Sequence, residues 1–121
     1  MSDLLHSFSM LFVPEEILKH FDVINLHEQS GVILIDLEEK GDVDHIPKEI
    51  VHQGKVVHNG WYNSIEIQTY PAQGKEVFLK LKRRRWKFAG DNHSYGNDYS
   101  FCNEGTKATK EFGVFLKEIG R

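Results

Sequence analysis

The chain has 121 residues, 40% of them apolar and 27% charged, with a formal net charge of −3. That is the length and make-up of one ordinary globular domain able to bury a modest core. No apolar run approaches 18 residues, Met1–Phe12 carries Asp3 and no basic cluster, and Cys102 is the single cysteine. A membrane-spanning helix, a secretory signal and an internal disulfide framework are therefore not expected, and a cytoplasmic protein with no cofactor is.

Taken in chain order, Leu4, Leu5, Phe8, Leu11 and Phe12 fall at helical spacing and predict a first helix over 3–12. Pro14, with Glu15 and Glu16 behind it, opens a second short helix that buries Ile17, Leu18 and Phe21. Val23–Leu26 and Val32–Leu37 are β-branched runs joined through Gln29-Ser30-Gly31, which predicts a hairpin. Residues 38–49 are acidic, contain Gly41 and Pro47 and lack an apolar period, so they read as an exposed connection. Asn59-Gly60 predicts a second hairpin between strands near Lys55–His58 and Trp61–Tyr70. Pro71-Ala72-Gln73-Gly74 is a further turn, and Lys75–Trp86 follows as the clearest strand, with Val77, Leu79 and Leu81 on one side. Ala89–Asn103 is loop by composition. Thr106 or Thr109 then caps a last helix bearing Ala108, Phe112, Phe115, Leu116 and Ile119, with Gly120 at its end. The expected fold is α+β: a single domain over 1–121 with a helical segment (1–21), a small antiparallel sheet of four to five strands (22–87), a loop (88–105) and a helix (106–120).

Charge is unevenly placed. Residues 1–60 carry a formal −7 and residues 61–121 a formal +4. The positive half culminates in Lys80-Leu81-Lys82-Arg83-Arg84-Arg85-Trp86-Lys87, six cations in eight residues with no acid among them. On one continuous strand, Lys80, Lys82 and Arg84 form a row along one face, suited to a phosphate backbone. Arginine adds a planar fork for phosphate or a guanine edge. Trp86 would either stack on an unpaired base or cover the core. The plain alternative is a solvated face that guards the sheet against aggregation.

The stretch from His58 to Arg121 resembles the amino-terminal region of bacterial insertion-sequence transposases of the DDE type. The resemblance rests on His58, Tyr70-Pro71-Ala72-Gln73-Gly74, Val77-Phe78-Leu79-Lys80-Leu81 and Arg84-Arg85-Trp86, then Phe101, Glu104 and Thr109-Lys110-Glu111-Phe112. Gly105–Glu118 is similar to the compact form of that region that lacks zinc ligands. The zinc-bearing form has paired cysteines before the histidine and another after Arg-Arg-aromatic; here that last position is Phe88, and no Cys-x-x-Cys occurs. The resemblance implies a zinc-ribbon-derived domain whose metal is replaced by apolar packing through Trp86, Phe88 and Phe101. It also implies a non-catalytic DNA-binding part of a transposase, with the DDE carboxylates on a downstream or separate catalytic chain.

On this reading transposon-end duplex DNA meets Lys80, Lys82, Arg83, Arg84, Arg85, Trp86 and Lys87, with Lys107 and Lys110 reaching neighbouring phosphates. Two rivals stand beside it: a protein-interaction adaptor for a catalytic subunit, and a single-strand binder using Trp86, Tyr95 and Tyr99. His52, His58, His93 and Cys102 lack the tight ligand pairs of a structural zinc site. The carboxylates Asp36, Glu38, Glu39, Asp42 and Asp44 read as solvated surface rather than a magnesium site.

Overall fold

The computed structural model describes residues 12–101 and 108–119, apart from the side chains at 111, 114, 115, 118 and 119. The helix expected over 3–12, together with Cys102, Glu104, Thr106, Lys107 and Gly120, lies outside the described residues.

Six strands fall into two sheets. The larger contains β1 (Phe21–Gln29), β2 (Val32–Glu39), β4 (Ile65–Ala72) and β5 (Lys75–Lys82), in the order β1-β2-β5-β4. The smaller pairs β3 (Val56–Trp61) with β6 (Arg84–Phe88), antiparallel. Among the described residues helix is confined to one turn, α1 (Glu15–Leu18), and to α2 (Lys110–Ile119). The described chain is thus mostly β, and the expected single antiparallel sheet between helices needs correction. β2 and β5 run parallel in register Ile33↔Val77, Ile35↔Leu79 and Leu37↔Leu81, which makes the large sheet mixed. A parallel neighbour requires the chain to return between the two strands, and here residues 40–74, β4 among them, make that excursion.

Both hairpins of the large sheet turn on two residues with positive φ: Ser30 and Gly31 (55° and 79°), then Gln73 and Gly74 (52° and 75°). That is the primed-turn geometry whose twist matches antiparallel strands. Asn59-Gly60 behaves differently. Only Gly60 has positive φ (80°), and β3 runs straight through the pair as a bulge between His58 and Trp61. The expected hairpin there is replaced because β3 pairs with β6 rather than β4. Asn59 is held in line by Arg85 Nε, which donates to its carbonyl (3.1 Å), and by its own amide, which donates to Ser94 Oγ (3.3 Å).

The core lies on one face of the large sheet. Ile35, Leu37, Ile67, Val77, Leu79 and Leu81 point into it, and Val13, Ile17, Phe21 and Phe101 close it from outside the sheet or its edge. α1 is shorter than expected: Phe21 starts β1 opposite Glu39 instead of ending a helix. Thr109 caps α2, its Oγ1 accepting from the Phe112 amide (3.3 Å), and Phe112 is buried beside Tyr70.

The acidic connection is not solvated throughout. Glu39 is fully buried, Val43–His45 forms a 3-10 turn, and His45, Pro47 and Ile50 are buried. Partners far along the chain, in the loop after β6, make that burial possible.

Candidate nucleic-acid interface

The cation run does not lie on one strand. β5 ends at Lys82 and β6 begins at Arg84, so Arg83 sits at the crossing from the large sheet to the small one. The continuous row Lys80–Lys82–Arg84 expected on one face is therefore broken. Lys80 and Lys82 project from the large sheet, and Arg84 belongs to the small one.

What organises the cations is the dipeptide Trp61-Tyr62, which follows the Gly60 bulge. Lys82 Nζ lies 5.9 Å and the Arg84 guanidinium 4.5 Å from the Trp61 ring. The guanidiniums of Arg83 and Arg85 lie 4.7 Å and 5.9 Å from the Tyr62 ring. Even-numbered cations face one aromatic and odd-numbered cations the other. Such contacts contribute about 0.5–1 kcal/mol each near solvent and hold flexible side chains in place. Backbone coupling fixes the register, the Tyr62 amide donating to the Arg83 carbonyl (2.9 Å).

All three arginines bond within the fold, Arg85 through the single Asn59 carbonyl and the other two more extensively. Arg84 donates from its backbone amide to Glu39 Oε1 (2.8 Å) and from Nε to the Glu39 carbonyl (2.7 Å), with His58 Nε2 3.4 Å from its guanidinium. The second Glu39 oxygen accepts from Asn97 Nδ2 (3.0 Å) and from the Tyr99 hydroxyl. A carboxylate with no exposure thus has a donor on each oxygen, as a buried charge requires. Burial and Glu39 together push the Tyr99 hydroxyl well above the ordinary phenol range. Arg83 donates to the Asn97 carbonyl (2.9 Å) and to Asp98 Oδ1 (3.0 Å). Asp98 is almost fully exposed, so that ion pair contributes little by itself.

The remaining cations are placed otherwise. Lys80 is exposed between Asp36 and Glu66 on the neighbouring strands, and Lys82 stands opposite Glu38. Among the described residues, Lys80, Lys82, Arg85 and Lys87 have no carboxylate within 4.0 Å. Strand alternation puts Arg85 and Lys87 on the face of the small sheet opposite to Trp86 and Phe88. Both are half-buried, and Arg85 Nε donates to the Asn59 carbonyl (3.1 Å). Lys110 is exposed at the start of α2, and Lys107 lies outside the described residues.

Trp86 covers the interior: it is 5% exposed, lies edge-on to His58 (5.7 Å) and exchanges two backbone hydrogen bonds with Tyr95. It presents no face to a base, and Tyr99 is likewise engaged with Glu39. Phe101 joins the main core, while Phe88 packs against Tyr95 (5.8 Å). The three aromatics expected to fill a vacated metal site therefore do not form one cluster. Among the described residues no group of three or more His, Cys, Asp or Glu side chains is arranged to hold a metal ion. Trp61 and Tyr62 are the site residues that sequence reasoning missed. Their signal was an aromatic pair directly after Asn-Gly, and its meaning depends on β3 lying beside β6.

Comparison with family models, curated proteins and solved structures finds no match to this chain. No helix among the described residues is long and apolar enough to cross a membrane.

Proposed function

We propose that this chain is a DNA-binding, non-catalytic accessory domain of an insertion-sequence transposase, acting beside a downstream or separate chain that carries the DDE carboxylates. The resemblance of His58–Arg121 to that region supports the class. The observation that carries the binding role is the cation cluster around Trp61 and Tyr62. Its inner members, Arg83 and Arg84, frame the surface, and its outer members, Lys82 and Arg85, join half-buried Lys87 and exposed Lys80 in having no carboxylate partner among the described residues. On this reading the phosphate contacts fall to Lys80, Lys82, Arg85 and Lys87. Trp61, half-buried between cations, borders them.

Fluorescence anisotropy of a labelled duplex tests the reading. Three to four phosphate contacts give a slope of log affinity on log salt of roughly −2.7 to −3.6. Binding that is absent at low salt, or insensitive to salt, counts against it.

One observation favours a second reading, an adaptor that holds a catalytic chain: Arg83 and Arg84, the centre of the basic run, are engaged within the fold. An adaptor would retain its partner after Lys82, Arg85 and Lys87 are neutralised and would show no affinity for duplex DNA.

A further inference from the structure

The end of the large sheet away from Lys75 holds a cluster that the DNA reading does not use. His20, just before β1, places Nδ1 3.0 Å from Nε2 of His45 in the 3-10 turn. On its other side the His45 ring bonds through Nδ1 to Asp42 Oδ1. With Asp42 accepting from His45 Nδ1–H, the neutral His45 ring offers Nε2 as an acceptor, and His20 Nδ1–H donates into it. Two backbone carbonyls flank the contact: Lys40 N–H donates to the His20 carbonyl (2.8 Å), and Asn97 Nδ2 donates to the His45 carbonyl (2.6 Å). Asn97 in turn accepts from Arg83.

We propose that His20, His45 and Asp42 form an acid-sensitive clasp that pins the 40–50 connection to the sheet and releases it when the pair takes up its second proton. The first added proton goes to the His45 ring beside Asp42, whose Nε2–H then donates to His20 Nδ1 as the His20 proton moves to Nε2, and the contact stays intact. A second has only His20 Nδ1 to occupy, which sets two N–H groups head to head and two positive charges side by side. The groups around the pair come from every neighbouring segment: Lys19 beside His20, Glu39 and Lys40 at the end of β2, Asp42 before the turn, and Tyr99 against the His20 ring (centroids 5.0 Å apart). Asp44, Lys48, Glu49 and Asp98 line the open groove outside. Burial and then the His45 charge hold His20 below the ordinary histidine range, while Glu39 acts in the opposite sense. The folded pair therefore resists protons that the opened chain accepts, and the clasp weakens as pH falls below about 6.5. Opening it withdraws the His45 carbonyl from Asn97 and so loosens the mount of Arg83. This clasp stands apart from the DNA reading and does not depend on it.

The test is thermal unfolding of the full chain and of His20→Gln between pH 7.5 and 5.0. Glutamine can donate to His45 Nε2 or accept from it, and it carries no titrating proton. The wild-type Tm is expected to fall by several degrees more than that of the variant across this range. Parallel curves overturn the proposal. So does a rise in wild-type Tm with added Zn²⁺ at pH 7.5 that is lost in His20→Gln, since the pair would then be a metal site. If the variant fails to fold, the histidine Cε1 resonances of the wild-type chain decide. A His20 titration displaced below the ordinary histidine range supports the clasp, and one in the ordinary range overturns it.

Discussion

Glu39 shows how one side chain sets the surroundings of many others. It is fully buried and accepts hydrogen bonds from the Arg84 amide, Asn97 and Tyr99, while its carbonyl takes Arg84 Nε. Glu39→Ala leaves the Arg84 amide and the Tyr99 hydroxyl without their acceptor, while Asn97 keeps the His45 carbonyl. The expected loss, read by urea unfolding, is about 2–5 kcal/mol, the cost of leaving two donors unsatisfied. Lys80→Ala, on the exposed face between Asp36 and Glu66, is expected to change stability by no more than about 0.5 kcal/mol. Acid sensitivity belongs at this scale too. Burial and Arg84 hold His58 below the ordinary range of 6.5, as burial and His45 do for His20. Each lowered histidine contributes stability that is present above the unfolded value and lost as pH falls through it toward the folded one. The Tm is therefore expected to be nearly flat from pH 7 to 8 and to drop between pH 6.5 and 5.

At the scale of elements, the two hairpins of the large sheet were legible and their partnership was not. Ser30-Gly31 and Gln73-Gly74 sit between alternating runs, and alternation alone assigns Val77, Leu79 and Leu81 to the core. Truncating Leu79, fully buried in the central strand pair, is expected to cost about 2–5 kcal/mol by denaturant unfolding. Gly74→Ala, at φ 75° with nothing near its Cβ position, is expected to cost about 1–2 kcal/mol through backbone strain alone. The parallel pairing of β2 with β5 left no trace in the residue pattern, because periodicity reports which face is buried and not which strand lies alongside. The break at Arg83 was hidden for a related reason: a run of cations looks continuous whether or not the chain changes sheets within it. The connection over 38–49 looked solvated because the partners of Glu39 stand about sixty residues away at Asn97 and Tyr99.

For the whole molecule, the uneven charge of the two halves is partly consumed in folding where Lys75 pairs with Glu28 (2.6 Å). Within the basic run, Arg83 pairs with Asp98 of its own half, while Arg84 meets Glu39 through one backbone group on each side. The run of cations was thus legible in the sequence, but its division between the two sheets and the two aromatic rings was not, since that depends on where Trp61 and Tyr62 lie. The direct measurement is the salt dependence of duplex binding by the wild-type chain and by a Lys82→Gln, Arg85→Gln, Lys87→Gln variant with unchanged Tm. The slope is expected to flatten by roughly 2.7, about 0.9 for each lost phosphate contact. An unchanged slope in the folded variant would contradict the assignment of these side chains to DNA.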